Sequence, residues 1–169
     1  NEFKALYPDQ KPKAKELTLD TDFEIFFPTD YINNVTERLT QYQELAVLKT
    51  EEDLDAFGAS LIDRFGALPE ATKALFESVR LKWLGTALGF EKIILKKRKC
   101  ICTFFAEPES SFYQDDAFQY MLRKLSMLGK AQLKEKNTKE GPKLVLVVED
   151  VSSIAKAISL LGNLQEPIT

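Results

Sequence analysis

Cys100 and Cys102 are the residues whose type and spacing come nearest to a chemical site. They sit two apart in Lys99–Phe105, where alternation predicts a strand, so both thiols fall on one face. A Cys-x-Cys pair can hold a soft metal or act as a dithiol. The chain has no His and no further cysteine, so a four-ligand zinc site has no completion. The pair is expected to be two small strand residues in a reducing compartment. Without His, a Ser or Cys nucleophile also lacks its usual base. Asp20/Asp22 and Asp115/Asp116 could pair for acid–base or metal work. The first pair, however, falls on a strand edge, and the second opens a helix, where the dipole favours acids. There is no Gly-x-x-x-x-Gly-Lys-Ser/Thr loop and no Gly-x-Gly-x-x-Gly turn. No nucleotide, metal or other cofactor is expected in this chain.

Two surface patches could bind. Lys96-Lys97-Arg98-Lys99 is the one dense basic run in a chain of formal net charge −3. It suits either a phosphate-contacting hairpin tip or a solvated turn that guards a sheet edge. No aromatic residues interleave the charges, as single-strand platforms require. The second patch surrounds Asp63. At about 100° per residue, Asp63 lies opposite the Leu54/Leu61/Phe65 stripe and beside Glu52, Ala56 and Ala59. Taken alone, Asp63 is a solvated acid or a partner of Arg64. Trp83 could anchor an interface, but it shares a stripe with Val79 and Ala87 and is expected in the core.

The periodicity predicts the elements that place these residues. Asn1 to Glu16 is a polar, proline-bearing connector. Alternation from Leu17 to Phe27 predicts a strand, with Pro28 as its end. Val35, Leu39, Tyr42 and Ala46 predict the buried stripe of a helix from Asn33 to Leu48. Thr50 caps the next helix, with Leu54, Phe57, Leu61 and Phe65 inside. A third helix runs from Pro69 to Leu88, with Leu75, Phe76, Val79, Trp83 and Ala87 inward. Lys92–Lys96 and Lys99–Phe105 form a hairpin around Lys97-Arg98. A helix over 115–128 buries Phe118, Met121, Leu122 and Leu125. Ala131–Lys136 and Lys143–Val148 pair around a loop at 137–142. A last helix, capped by Asp150 or Ser152, ends at Gly162. The expected fold is α+β, with helices packed on short, mainly antiparallel strands in a single compact domain over 17–165. The chain has 169 residues, is 44% hydrophobic, and contains no apolar run able to span a bilayer. It opens without Met in a polar stretch, so a fragment of a larger protein is expected.

Between the second and third helices, Leu61-Ile62-Asp63-Arg64-Phe65-Gly66-Ala67-Leu68-Pro69 reads as a corner. Gly66 takes a left-handed conformation, Pro69 starts the next helix, and Phe65 and Leu68 set the angle. This run resembles the signature of the C-terminal domain of bacterial transcription-repair coupling factors. The resemblance also rests on Phe27-Pro28-Thr29-Asp30-Tyr31-Ile32, Arg38-Leu39-Thr40-Gln41-Tyr42, Thr50-Glu51-Glu52-Asp53-Leu54, Arg80-Leu81-Lys82 and Leu88-Gly89, in this order. It covers Phe23 to Phe105 well and fades towards Leu164.

The resemblance implies a cytoplasmic parent that translocates on double-stranded DNA, with ATP and magnesium confined to its motor. Such a parent displaces stalled RNA polymerase and recruits nucleotide excision repair through UvrA. This domain is then a non-catalytic regulator. It docks on the parent's UvrB-like N-terminal module and masks UvrA recruitment. The resemblance places acidic contacts on the Asp63 helix, with Ser60 standing where a relative carries a second acid. The competing expectation is a nucleic-acid module using Lys96–Lys99. No membrane partner is expected.

Overall fold

The structure is a computed structural model and describes residues 16–167. The connector expected over 1–16 thus lies almost wholly outside the described residues. Among the described residues, five α-helices and one five-stranded sheet make an α+β architecture. The strands are β1 (Thr18–Thr21), β2 (Phe90–Lys96), β3 (Lys99–Phe104), β4 (Ala131–Thr138) and β5 (Gly141–Val148), in the order β1-β2-β3-β5-β4. Among the described strand pairs, only β1–β2 is parallel. The helices are α1 (Val35–Ala46), α2 (Glu51–Phe65), α3 (Glu70–Leu88), α4 (Asp116–Lys124) and α5 (Ile154–Gly162).

Two apolar cores result, and α3 serves both. Leu81 and Leu88 join Ile93, Leu95, Cys102, Phe104 and Leu146 on one sheet face. Leu75 and Phe76, from the same helix, pack with Phe27, Leu54, Phe57 and Leu61 in the helical corner. Gly85 lets α3 lie tightly on the sheet. A Cβ there would lie 2.6 Å from Leu17 Cδ1 and 2.8 Å from Ile93 Cδ1.

Several expected elements are corrected. The first strand stops at Thr21 rather than Phe27. The Thr21 hydroxyl donates to Leu95 O and accepts from Phe23 N–H, which turns the chain away from the ladder. Phe26 and Phe27 then bond to Ala71 O and the Tyr42 hydroxyl instead.

Of the expected inner stripe of α1, only Tyr42 packs inward, half-buried against Phe27, while the other three residues face outward. Val35 and Leu39 are 61% and 56% exposed, Ala46 is exposed, and Gln41 and Leu45 are buried. Polar partners make that rotation possible. Gln41 donates to Glu37, Arg38 to Ile32 O at 2.7 Å, and the Tyr42 hydroxyl holds Phe27 N–H.

Ala87 and Leu122 are exposed, and Trp83 is half-buried. The 115–128 helix is α only to Lys124 and finishes as a 3-10 turn. The 137–142 loop shrinks to Lys139-Glu140, because Asn137 pairs with Pro142 and Thr138 with Gly141. Ser153 caps α5 through Lys156 N–H, in place of Asp150 or Ser152. Gly162 is the last helical residue rather than the stop beyond it.

Candidate docking face

Helix α2 begins where the sequence places it. The Thr50 side chain accepts from Asp53 N–H at 3.1 Å, and Glu51, Glu52 and Asp53 occupy the positive end of the helix dipole. Leu54, Phe57, Gly58 and Leu61 then bury one side. Glu52, Ala56, Ala59, Ser60 and Asp63 are all exposed on the other. The helix therefore presents small side chains around an acid, so a partner's backbone can come close.

Charge on this helix is partly spent and partly free. Arg64 does not pair with its neighbour Asp63. It donates instead to Glu37 of α1 and lies 4.8 Å over the Phe65 ring. Hydrogen bonds from Arg64 first, then Gln41, hold the Glu37 carboxyl below its ordinary range. Glu51 is bound by Arg80 of α3 at 2.8 Å and is likewise lowered by that bond. Asp63 and Glu52 have no hydrogen bond or ion pair among the described residues. Ile62, unremarked in the sequence, stands beside Asp63 at 50% exposure. It lines a groove of about 420 Å³ with Gly58, Ala59, Leu68 and Phe76.

The corner below holds the face at a fixed angle. Gly66 has φ 95° and ψ −170°, so its φ is positive as expected but its ψ is not that of the left-handed helix. Tyr31 accounts for the difference, since its hydroxyl donates to Gly66 O at 2.7 Å and its ring meets Phe65 at 5.8 Å. Nothing local marks Tyr31 for this role, because the contact spans 35 positions. Phe65, Leu68 and Pro69 are each half-buried rather than enclosed.

The other sequence candidates sit elsewhere. The Cys100 and Cys102 sulfurs lie 3.7 Å apart in the sheet core, where burial pushes the Cys102 thiol well up and keeps it protonated. Lys97 and Arg98 form a two-residue turn with φ 51° and 62°, the twist that hairpins favour. Lys96 pairs with Asp20 at 2.9 Å, Lys99 pairs with Glu149 at 3.4 Å, and Asp22 accepts Lys97 N–H. Acids beside two of the four cations compete with any phosphate. Asp115 and Asp116 open α4, as expected for dipole partners. No described helix is long and apolar enough to cross a membrane.

Comparison with known proteins adds family information to this geometry. Residues 21–114 match the model of the TRCF domain family. The chain is similar to the transcription-repair-coupling factor of Haemophilus influenzae, at 37% identity over 95 residues, 53% of this chain and 8% of that protein. It is 35% identical to the Escherichia coli factor over 98 residues, 55% of this chain and again 8% of that protein. Thus the chain matches a small part of the length of these relatives. Its fold is similar to a crystal structure of the C-terminal domain of a transcription-repair coupling factor. That match has a TM-score of 0.66 and 18% identity, over 91% of this chain and 92% of that one.

Proposed function

The chain belongs to the TRCF domain family, and from that premise we propose a non-catalytic docking domain that regulates a larger DNA-repair protein. The parent would be a cytoplasmic, ATP-driven translocase on double-stranded DNA, acting on stalled RNA polymerase and the excision-repair machinery. In the closed parent, the exposed face of α2 seats on the UvrB-like N-terminal module and covers the surface that recruits UvrA. Asp63 carries the proposal. It is an exposed acid with no partner among the described residues, flanked by Ala56 and Ala59 on a helix clamped from both sides by Glu37–Arg64 and Glu51–Arg80. Such a clamp pre-organises the face, so little ordering has to be supplied on docking. Ser60 offers a hydroxyl next to Asp63 but no second charge, so a single charge pair would fix register.

The test is a calorimetric titration of the parent's N-terminal module with this chain and with its Asp63→Arg form. The wild-type chain should bind. The reversal should lose affinity by about tenfold or more, since like charges juxtaposed at an interface cost several kcal/mol. Both forms should melt at the same temperature. Equal affinities would return Asp63 to the status of a solvated acid.

A further inference from the structure

The face of the sheet turned away from its helices is not the polar surface that alternation ordinarily leaves to solvent. Ile93, Leu95, Cys102 and Leu146 point towards the helices and belong to the main core, whereas Ile94, Ile101, Val145 and Val147 alternate with them and belong to neither described core. Register sets the second group in rows across the strands. Asp20, Ile94, Ile101, Val147 and Gln132 form one row, and Thr18, Lys92, Thr103, Val145 and Lys134 form the next. Ile94 and Ile101 are half-buried and line a depression of about 360 Å³ with Lys92, Thr103 and Lys136. The charge around it is unbalanced. Asp20 and Glu149 engage Lys96 and Lys99, and Glu91 and Glu140 flank the buried Lys143 at 3.8 and 4.0 Å. Lys92, Lys134 and Lys136 have no ion pair or hydrogen bond among the described residues, and Glu16 is the one acid at the border without a described cation. Edge protection does not account for Lys92, which sits on an interior strand.

We propose that this face docks an amphipathic α-helix of a partner protein, with its apolar stripe on the Ile94–Ile101–Val147 row and its acidic flank on Lys92, Lys134 and Lys136. Each feature follows from the chemistry of the face. The apolar row calls for apolar side chains, which a phosphate backbone does not offer. Neither row contains an aromatic ring on which bases could stack. Strands β2, β3 and β5 have neighbours on both sides, so their backbone groups are already engaged. An extended segment laid over them would leave its own backbone groups unpaired against apolar side chains, whereas a helix satisfies its own. The spacing also fits. Neighbouring rows are two strand residues, or about 6.6 Å, apart. A helix about 10 Å across that is centred on the isoleucine row therefore sets its flank over the lysine row. Such a helix would give the sheet a second covering layer. The surface is distinct from the α2 face, and its test does not depend on docking there.

The experiment titrates the full chain by calorimetry with three probes. They are a helix-forming peptide with a leucine stripe flanked by glutamates, the same peptide with alanine in place of leucine, and duplex DNA. Amide shift changes locate the first probe on the chain. The leucine peptide should bind, with shifts centred on Ile94, Ile101, Val145 and Val147, and should weaken as salt rises. The alanine peptide should bind more weakly. Lys92→Glu/Lys134→Glu/Lys136→Glu should lower affinity for the leucine peptide about tenfold or more, through like-charge repulsion. Lys92→Gln/Lys134→Gln/Lys136→Gln should give a smaller loss, and it carries the test if the reversed charges unsettle the sheet. No binding, shifts centred elsewhere, equal affinity for the two peptides, or wild-type affinity in the Gln variant would each overturn the proposal. So would tighter binding of duplex DNA at this face, which assigns it to nucleic acid, or self-association that the same variants abolish, which assigns it to a second copy.

Discussion

Gly66 shows how one residue can carry a corner. Its φ of 95° with ψ of −170° belongs to a region that is essentially reserved for glycine. A Cβ there meets nothing within 4 Å, so Gly66→Ala introduces backbone strain and no clash. The expected loss is about 1–3 kcal/mol, measured by denaturant unfolding; an unchanged midpoint would mean the corner relaxes freely. Positive φ was legible in the sequence because Gly66 follows the last apolar position of one helix, three residues before the Pro69 that opens the next. The value of ψ was not, because a tyrosine 35 positions away sets it. Tyr113 supplies a prediction in alkali. Burial first, then the Glu91 charge, push its phenol from 10.0 up to about 12, and its hydroxyl donates to Ala106 O at 2.7 Å. A raised folded pKa favours the folded state fully below pH 10, and that contribution is lost as pH rises from 10 to about 12. Tyr113→Phe should flatten the fall in stability across this window; the same slope in both proteins would rule out Tyr113 as its source.

At the scale of elements, local rules succeeded where local chemistry decides. The β2–β3 hairpin, the Thr50 cap and the α2 stripe follow from short-range patterning, and each stands close to its expected place. The errors arise where distant hydrogen bonds outweigh periodicity. The Thr21 hydroxyl ends β1 by reaching across to Leu95 O. In α1, buried Gln41 and half-buried Arg38 have specific acceptors, so Val35, Leu39 and Ala46 were free to turn outward while Tyr42 stayed against the core. Helix α3 gives the sharpest element-level test, since it closes both cores. Gly85→Ala would gain about 1 kcal/mol of helix propensity. The added methyl would press into Leu17 and Ile93, and overpacking of this kind costs typically about 1–3 kcal/mol. Net destabilisation is therefore expected in a thermal melt. A rise in melting temperature would show that the helix–sheet spacing can yield.

On the scale of the whole molecule, the arrangement of charge favours protein docking over phosphate binding. The outer face of α2 presents an acid with no partner among the described residues, while Lys96 and Lys99 already face Asp20 and Glu149. Replacing Lys96, Lys97, Arg98 and Lys99 with Ser should thus leave duplex-DNA affinity negligible before and after. Measurable binding with a salt slope that flattens in the variant would reinstate the basic turn as a phosphate site. The acidic face was legible because angular position on an amphipathic helix follows from spacing alone. The freedom of Asp63 was not, since Arg64 could have paired with it and instead crosses to Glu37, 27 positions away. That freedom sets the final expectation for the parent protein. If α2 holds a closed state, UvrA can bind only the open fraction, and its apparent affinity is reduced by that fraction. On the proposed docking, Asp63→Arg would replace attraction with repulsion at that face and would shift the population towards open. UvrA should then bind the variant parent more tightly than the wild type before polymerase is engaged, with no change in melting midpoint. The gain should be largest at low salt, where charge repulsion is least screened. If UvrA binds both parents equally, then Asp63 does not hold the closed state, and release of this domain must be governed by another surface.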